Sequence, residues 1–581
     1  MRLLFDIETN GLLPDVDTIH CIVLKDIDTG EIDTFTDIDV GIKHLERAEV
    51  IIGHNVLDYD IPVLKLLKPY FKPPKVIDTL VYARLVWPDI RNDDAGCEEL
   101  PVKLVGSHSL KAWGIRLGEE KDEYEGGWDT FSQEMLEYCI QDVETTHALY
   151  KHLEAQKFPE KSINLEHEVH SICLQQQRYG FLFDSDAAWK LVTELSDVRD
   201  NLDEELTELF PSYTVSTPFM PKASNSKYGY VKGELTEKHT TITFNPNSRV
   251  HIANRLQDKY EWKPKEFTPN GQPKVDESIL SKLPYPEAKL LAKSFLIQKR
   301  IAALSEGKQA WLNNVVEDRI HGRVLTNQAV SGRATHRNPN LAQVPSVRVP
   351  YGKACRELFI VPEGKVLVGS DVSGLELRAL AHFMHPKDNG AYSEVILNGD
   401  IHSYNQKLAG LETRDQAKTF IYALIYNAGA EKLGAVAGGT RAKGKKLKVQ
   451  FLKELPALAD LIQRVTTKAQ HTKCLTGLDG RTLRVRSAFS SLNLLIQSAG
   501  ALICKQWLVE IHKELKQRGW EDKCKQVAWV HDEVQFECNK ELGEQFGELA
   551  VECIRRSGDF FNIRTRLDAE YKVGTSWAET H

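Results

Sequence analysis

The stretch Ala528-Trp529-Val530-His531-Asp532-Glu533-Val534-Gln535-Phe536 places two adjacent carboxylates between apolar residues. β-Branched and aromatic residues on both sides favour strands, so we expect a β-hairpin with His531, Asp532 and Glu533 at or near its turn. Adjacent carboxylates repel each other unless a cation neutralises them. The string alone is more typical of a solvated acidic turn, so a metal site requires a second observation.

Asp371 supplies that second observation, about 160 residues before Asp532. It ends the apolar stretch 365–371, which reads as a buried strand. Two carboxylates delivered by separate strands form the kind of divalent-metal site that performs in-line phosphoryl transfer. We therefore interpret the rest of the chain in relation to this pair.

The composition indicates a multidomain globular protein. A chain of 581 residues is too long for one core, and 42% hydrophobic with 27% charged residues is ordinary for a globular fold. The net charge of −8 excludes a uniformly basic coat but leaves room for a local basic channel. The ten cysteines are scattered without C-x-x-C spacing, which argues against zinc and against a disulfide framework. No signal peptide and no apolar run of about 18 residues is present, so we expect a cytosolic protein without a membrane segment.

The first 150 residues carry a second set of carboxylates. Asp6 and Glu8 are two apart on a predicted strand and therefore share a face. Asp60 opens a helix-like segment, and Tyr138 and Asp142 stand one turn apart on a helix predicted over 135–150. Each residue alone also fits a helix cap, a surface pair or a buried tyrosine.

Together with His54-Asn55 and Tyr59, this set resembles the three motifs of proofreading 3′–5′ exonucleases. The resemblance implies that two divalent ions are held by the four acidic residues, Asp6, Glu8, Asp60 and Asp142. It also implies that Tyr138 orients the attacking water.

The middle of the chain is mostly helical in pattern. We expect long helices over 164–180 and 186–210, and further helices over 248–260 and 287–316, the last with a kink. Between 211 and 243 the helix signals disappear, and we interpret this segment as a loop insertion.

The most informative helix is predicted over 413–426, because its polar residues recur every four positions. Arg414, Lys418, Tyr422 and Tyr426 lie along one stripe, with charge for a triphosphate followed by flat surfaces for a base. An exposed basic face is more often only solvated. His402 is a further possible phosphate donor.

Six strings together resemble family A DNA polymerases over almost the whole chain. They are SGRATH (331–336), DVSGLELR (371–378), RDQAKTFIYALIY (414–426), GLDGR (477–481), LNLLIQSAGALICK (492–505) and VHDEV (530–534). The chain is most similar to compact replicative polymerases of tailed bacteriophages. The resemblance implies an α/β (α+β) multidomain protein, with an RNase H-like 3′–5′ exonuclease followed by a right-hand polymerase.

The implied domains follow the chain in order. They are an exonuclease (1–155), a thumb with connecting helices (156–316, including the 211–243 insertion), a first part of the palm (317–385), the fingers (386–485) and a second part of the palm with the Asp532 hairpin (486–581).

The resemblance also assigns roles to the matching residues. Asp371 and Asp532, with the main-chain carbonyl of Val372, would hold two Mg²⁺ ions, for which Mn²⁺ could substitute. Glu533 would lie behind them, and Lys418 would donate a proton to the leaving group. The residues implied to contact the nucleotide are His402, Arg414, Lys418, Tyr422, Glu376 and Tyr426. The residues implied to contact DNA are Arg333, Gln343, Asn493, Gln497, His531 and Arg481.

The implied partners are primer–template DNA and dNTPs, and in a host cell a phage helicase-primase and a single-stranded DNA-binding protein are further candidates. Two features depart from the family pattern. Asn427 replaces the glycine that usually follows the last tyrosine of the stripe helix. The 211–243 segment is shorter than the insertion through which some relatives recruit thioredoxin, which argues against that partner.

Three other interpretations stay open at this point. The chain could be an exonuclease with a degenerate C-terminal domain, a single-subunit RNA polymerase, or a DNA-binding protein without catalysis. The retained Asp371, Asp532, Arg414 and Lys418 argue against the first, and Glu376 with the N-terminal carboxylates argues against the second. The six predicted metal-binding carboxylates argue against the third.

Overall fold

The computed structural model describes residues 1–119 and 124–581. The chain forms two compact units, of which the larger comprises 1–181, 321–344 and 360–581, and the smaller 182–320 and 345–359. Helices and sheets alternate in both, as expected for an α/β (α+β) multidomain protein.

The N-terminal part of the larger unit is built on a five-stranded mixed sheet. Its central strand Arg2–Thr9 pairs antiparallel with Ile19–Asp26 and parallel with Val50–Gly53. The sheet is completed by Ile32–Phe35 on one edge and Lys75–Asp78 on the other. The surrounding helices are Ile38–Arg47, Asp60–Leu67, Thr79–Val86, Ile90–Asp93, Leu110–Leu117, Gln133–Glu154 and Glu160–Tyr179.

The C-terminal part of the same unit contains a four-stranded sheet. The strands Cys524–Val530 and Glu533–Asn539 form the predicted hairpin, with Val530 opposite Glu533, so that His531 and Asp532 make the turn. His531 adopts a left-handed backbone conformation with φ 59°. Lys365–Val372 lies between this hairpin and Ala569–Gly574, and Asp371 is opposite Glu533.

A long buried helix, Ser491–Arg518, packs with Gly543–Phe560 beside this sheet. Trp507, Phe536 and Phe546 form part of the shared core. The long helix has the length and hydropathy of a membrane span, but 94% of its apolar window is buried in the fold. Its apolar character is therefore explained by its place in the core.

The other elements of the larger unit are helices and short hairpins that lie, in sequence order, between the strands of these two sheets. The helices are Leu375–Asp388, Ala391–Asn398, Ile401–Ala409, Arg414–Ile425, Ala430–Val436, Arg441–Glu454 and Pro456–Thr472. The hairpins are Arg323–Leu325 with Thr335–Arg337, and Cys474–Thr476 with Thr482–Arg484.

The smaller unit is mainly helical. Its helices are Ser185–Leu209, Arg249–Tyr260, Glu277–Leu280, Pro286–Ser305 and Gly352–Glu357, and its strands are Tyr213–Phe219, Thr236–Ile242, Val315–Val316 and Arg319–Ile320. A short strand, Phe181–Leu182, stands where the chain passes from one unit to the other.

Two sequence predictions are corrected in this unit. The 211–243 segment, predicted to be a loop, contains an antiparallel hairpin in which Tyr213 is opposite Ile242. Both strands are largely exposed, so no alternation of buried and polar residues marks them. The helix predicted over 287–316 ends at Ser305, shortly before Gly307, whose φ of 83° cannot continue a helix.

Candidate functional site

The ends of two adjacent strands bring Asp371 and Asp532 to one cleft. The backbone N–H of Val372 donates to the carbonyl of Asp532 at 3.0 Å, which fixes the hairpin turn against the end of the Asp371 strand. Asp371 remains exposed to solvent at the end of its strand. Desolvation by the surrounding protein, followed by the negative charges of Asp532 and Glu533, raises the pKa of Asp371 to about 7. Burial likewise raises the pKa of Asp532.

Glu533 points to a different environment from its neighbour. Its Oε1 accepts hydrogen bonds from Trp577 Nε1 at 2.5 Å and Gln535 Nε2 at 2.7 Å. Its Oε2 lies 2.7 Å from His581 Nδ1. The C-terminal segment thus holds this buried carboxylate behind the turn, and Glu533 contributes to the position of Asp532.

This donor set fits a divalent cation. The charge of Asp532 raises the proton affinity of Asp371, so this pair is destabilising when both carboxylates are ionised, and a cation between them removes the repulsion. Carboxylate oxygens are the ligands that Mg²⁺ and Mn²⁺ prefer. Asp371, Asp532 and the carbonyl of Val372 are the groups that could hold it.

The helix Arg414–Ile425 presents the predicted stripe on its exposed face. Arg414, Lys418 and Tyr426 are exposed and Tyr422 is half-buried, whereas Phe420, Leu424 and the other apolar positions are buried. The helix begins with a capping box made by Thr413 and Gln416. The stripe is therefore accessible to an anionic ligand from solvent.

Arg414 and His402 meet at the start of this stripe. Arg414 Nε donates to Asp400 Oδ2 at 2.7 Å, and this ion pair is exposed. The hydrogen bond from Arg414 lowers the pKa of Asp400. The ring of His402 lies 6.3 Å from that of Tyr422, and its Nδ1 has no partner among the described residues. Burial and the cations Arg414 and Lys418 lower the pKa of His402.

Glu376 joins the stripe to the long buried helix. Its carboxylate accepts hydrogen bonds from the Tyr426 hydroxyl and, at 2.8 Å, from Gln497 Nε2. Gln497 also donates to the Tyr426 hydroxyl at 3.0 Å, and Arg333 lies 3.6 Å from Glu376. Glu376 was predicted beside Tyr422. Burial, followed by the charge of Glu376, raises the pKa of the Tyr422 hydroxyl, but the hydrogen bond of Glu376 is with Tyr426.

Asn427 ends the stripe helix in the way that glycine does. Its φ is 56°, its N–H donates to Leu424 O at 3.0 Å, and the N–H of Ala428 donates to Ala423 O at 2.8 Å. This pair of hydrogen bonds is a Schellman motif, which requires a left-handed residue that asparagine tolerates. The departure from the family pattern is therefore accommodated locally.

The cap predicts how substitutions at this position behave. Asn427→Gly should leave amide exchange in the peptide 420–430 unchanged, because glycine also adopts φ above zero. Asn427→Val should speed exchange of the last helical turn about tenfold, since a left-handed β-branched residue costs about 1–2 kcal/mol. Hydrogen–deuterium exchange measured by mass spectrometry checks this, and equal exchange in both variants would contradict the cap.

The N-terminal sheet gathers the second set of carboxylates. Ligand atoms of Asp6, Glu8 and Cys139 all lie within 4.8 Å of one another. The Cys139 thiol donates to Asp6 Oδ2 at 3.5 Å. Burial, followed by the charges of Asp60, Glu8 and Asp142, raises the pKa of Asp6 well above its usual range. The structure thus brings all four predicted acidic residues into electrostatic contact.

The environment of Asp60 indicates that the N-terminal carboxylate site can bind a cation. Burial raises its pKa to about 7, and its Oδ1 has no hydrogen-bond partner in the part of the chain that the structure describes. A buried carboxylate oxygen without a donor is costly unless a cation binds it. The residues present therefore fit a divalent ion.

Tyr138 lies on the helix Gln133–Glu154 with Asp142. Its ring contacts Tyr124 and Trp128 at centroid distances of 5.7 and 6.3 Å. This aromatic cluster fixes the side chain one helical turn from Asp142.

Arg481 is a predicted DNA contact that the structure contradicts. Its side chain is 2% exposed and is bound to Asp479 and Glu166, with Nη2 2.6 Å from Glu166 Oε1. Lys505 Nζ binds the same Glu166 at 2.6 Å. Arg481 is thus part of a buried ion cluster and cannot reach DNA.

The other predicted DNA contacts are placed differently. Gln343 and His531 are exposed, and Arg333 and Asn493 are half-buried. Arg333 and His531 line one pocket with Glu376 and Asp532. Gln497 is buried, and its amide is engaged by Glu376 and Tyr426.

Several residues around the two sites carried no usable signal in the sequence. Cys139 contacts Asp6 because the helix Gln133–Glu154 packs against the strand Arg2–Thr9, and the sequence alone does not show this packing. Trp577 and His581 bind Glu533 from more than 40 residues away in the chain, and no local pattern marks them.

A match to a protein-family model gives the class of this protein. The family model described as DNA polymerase family A matches residues 222–579. The chain therefore belongs to DNA polymerase family A.

Curated relatives and a solved structure agree with this assignment. The chain is 37% identical to the DNA-directed DNA polymerase of Enterobacteria phage T3, over 100% of both chains. It is also 37% identical to that of Escherichia phage T7, over 99% of both. The solved structure of the POL domain of Pol1 from M. smegmatis, in complex with DNA primer-template and dNTP, matches with a TM-score of 0.76 at 19% identity. That match covers 99% of this chain and 96% of the other, and shows the same fold.

Proposed function

We propose that this chain is a template-directed DNA polymerase that adds dNTPs to the 3′ end of a primer, with a 3′–5′ proofreading exonuclease in its N-terminal region. The observation that carries the first activity is the convergence of Asp371 and Asp532 in one cleft within a family A fold. The full-length similarity to the phage T3 and T7 enzymes supports a replicative role.

Asp371, Asp532 and the Val372 carbonyl would hold two Mg²⁺ ions, or Mn²⁺ in their place. When bound, such ions lower the pKa of the primer 3′-hydroxyl and neutralise the triphosphate. Glu533, fixed by Trp577 and His581, holds the turn so that Asp532 keeps its position. His531, at the same turn, faces the primer terminus.

The stripe helix would bind the nucleotide. Arg414 and Lys418 are exposed cations that grip the triphosphate, and Arg414 must exchange Asp400 for phosphate when it does so. Lys418 would donate a proton to the leaving pyrophosphate, and His402 would add a donor at the start of the stripe. Tyr422 and Glu376 border the sugar, and Tyr426 stacks at the templating position.

The N-terminal carboxylates would form the exonuclease centre. Asp6, Glu8, Asp60 and Asp142 are buried or half-buried together and raise the proton affinity of one another. Tyr138 would orient the attacking water from the next turn of the helix that bears Asp142. This assignment divides the chain into an exonuclease and the palm, fingers and thumb of the polymerase at the boundaries predicted above.

The substrates are then primer–template DNA and dNTPs, and the working compartment is the host-cell cytoplasm. A phage helicase-primase and a single-stranded DNA-binding protein are the partners that such a role requires. Thioredoxin is not expected among them, because the exposed hairpin within 211–243 is short.

A primer-extension assay tests the proposal. A labelled primer–template is incubated with Mg²⁺ and either dNTPs or rNTPs, with EDTA as the metal-free control. Extension that needs Mg²⁺ and is confined to dNTPs is expected. Equal extension with rNTPs would instead indicate an RNA polymerase, and degradation without extension would indicate an exonuclease alone.

Tyr422 gives a sharper prediction about the sugar. Its hydroxyl forms no hydrogen bond among the described residues, and its ring is half-buried beside Glu376. A phenol at this position can supply the polar contact that a dideoxynucleotide lacks, so wild type should accept such nucleotides readily. Tyr422→Phe should raise discrimination against them by up to about tenfold, as expected for one lost hydrogen bond. Competition between ddNTP and dNTP measures this, and equal discrimination by both enzymes would contradict the assignment.

A further inference from the structure

A basic pocket borders the N-terminal carboxylate site, separate from the residues assigned above. It is a cavity of about 460 Å³ in the larger unit, lined by Arg84, Ser107, His108, Ser109 and Arg337. Asn55, of the exonuclease-like motif, forms one of its borders, and Gln328 forms another. We call it the arginine pocket.

The positive charge around this pocket is only partly balanced, by Asp58 and Asp78. Arg323 and Arg337 stand opposite each other on an antiparallel hairpin, an arrangement that is destabilising for like charges. Arg323 Nη2 binds Asp58 Oδ2 at 2.7 Å, but Arg337 forms no ion pair within residues 1–119 and 124–581. A bound anion would relieve this repulsion.

Arg84 adds a third guanidinium with an unused donor. Its Nε is buried and has no hydrogen-bond partner in the described part of the chain. Burial, followed by the charge of Arg323, lowers the pKa of Arg84 to about 10. A desolvated donor of this kind gains most from an anionic acceptor.

The opposite wall of the pocket is preformed. Ser109 caps the helix Leu110–Leu117 by accepting from the N–H of Ala112, and the Ser107 hydroxyl donates to Ser109. His108 is 8% exposed and donates a ring hydrogen bond to the carbonyl of Trp87; burial lowers its pKa to about 3, so the ring is neutral, its Nδ1 is an acceptor, and it takes no part in binding an anion. The Ser109 hydroxyl lines the same pocket as the two guanidiniums, and a hydroxyl together with two guanidiniums suits a phosphate group.

The position of the pocket indicates which phosphate. On one side, the N–H of Asn55 donates to Asp78 at 2.9 Å, and the charge of Asp78 acts on Asp60 of the carboxylate site. On the other side, Arg337 follows His336, which is electrostatically coupled to His531 at the C-terminal turn. A strand that passes from the cleft of Asp532 to that of Asp60 would cross this surface.

We propose that the arginine pocket binds a backbone phosphate of the single-stranded 3′ end of the primer as that end moves to the exonuclease centre. The proposal rests on the function proposed above. It assigns Arg84 and Arg337 to holding the strand, with the chemical step left to the carboxylates.

The test neutralises one phosphate at a time. A single methylphosphonate linkage is moved stepwise from the 3′ end of a single-stranded oligonucleotide, and the affinity of the full-length protein is measured in EDTA, where no cleavage occurs. For wild type we expect one linkage whose neutralisation weakens binding about tenfold or more, as for a lost charge-assisted hydrogen bond. For Arg337→Gln the same linkage should have no further effect, because its partner is already absent.

Two other variants make the result specific. Arg84→Lys keeps the charge and should retain part of the effect at that linkage. Arg47→Gln removes an exposed arginine from the helix Ile38–Arg47, which lies outside the pocket, and should leave the wild-type profile unchanged. Because Arg337 is exposed and opposed by a like charge, its substitution should not lower the melting temperature.

The same scan on both strands of a mispaired primer–template distinguishes the sources of the phosphate. A position in the primer strand that depends on Arg337 supports the proposal, and a position in the template strand overturns it. A wild-type profile with no Arg337-dependent linkage also overturns it. In that last case primer extension and single-strand degradation would still proceed, so the failure concerns the pocket alone; loss of both activities would refute the proposed function.

Discussion

Asp532→Asn should lower the rate of primer extension by at least about a thousandfold while single-stranded DNA is degraded at the wild-type rate. The substitution keeps the size of the side chain and removes the charge that meets Asp371 at the end of its strand. Loss of one preorganised electrostatic group commonly costs about 10²–10³ in rate, and a metal ligand should cost at least as much. Single-turnover addition of one nucleotide measures the first rate, and release of mononucleotides measures the second.

The matched control for this experiment is Asp568→Asn. Asp568 lies beside the same sheet, and its side chain pairs with Arg555 at 2.9 Å on the surface. Because its side chain is engaged by Arg555 and it is not among the charges that raise the pKa of Asp371, its loss should change extension little. If Asp532→Asn retained more than about a tenth of wild-type extension, the assignment of this carboxylate would be wrong.

The double substitution Asp6→Asn with Glu8→Gln should have the reverse effect. Degradation of single-stranded DNA should fall by at least about a thousandfold, because two of the four proposed ligands lose their charge, while extension of a matched primer is unchanged. The control is Asp33→Asn, an exposed carboxylate on an edge strand of the same sheet. Normal trimming of a mispaired primer end by the double variant would contradict this exonuclease centre.

The same variant should also be more stable than wild type when metal is removed. Burial, followed by the charges of Asp60, Glu8 and Asp142, raises the pKa of Asp6 well above its usual range, and burial raises that of Asp60 to about 7, so the folded state binds protons that the unfolded state has lost above about pH 4; the variant removes the Asp6 contribution. Without metal, the free energy of unfolding of this region should therefore decrease as the pH rises from about 4 to 7. In the variant this free energy should decrease less. Melting curves in EDTA across this range check the sign, and a steeper fall in the variant would count against mutual repulsion in the cluster.

The hairpin at the centre of the account was predictable because its pattern is local. Apolar, β-branched and aromatic residues on both sides of His531-Asp532-Glu533 predict two strands and a turn, and the structure has that turn. The stripe Arg414, Lys418, Tyr422 and Tyr426 was predictable for the same reason, since helical spacing alone places its members on one face. Local sequence patterns were therefore sufficient to predict both elements that carry the proposed chemistry.

The errors arose where the deciding contacts are distant or absent. Arg481 follows a glycine turn and reads as an exposed cation, but Glu166, more than 300 residues earlier, buries it in an ion cluster. The strands Tyr213–Phe219 and Thr236–Ile242 pack against no core that would impose alternation, so only their β-branched residues hinted at a hairpin. In both cases the missing information was a partner in space.

The proposed polymerase activity requires Asp371 and Asp532 to hold the metal ions of nucleotide addition together. Anomalous diffraction from crystals of the protein with primer–template, a dideoxynucleotide and Mn²⁺ tests it most directly. We predict two manganese peaks in the cleft, bound by both carboxylates and next to the triphosphate and the primer end. Manganese confined to Asp6, Glu8, Asp60 and Asp142, with none between Asp371 and Asp532, would contradict the claim.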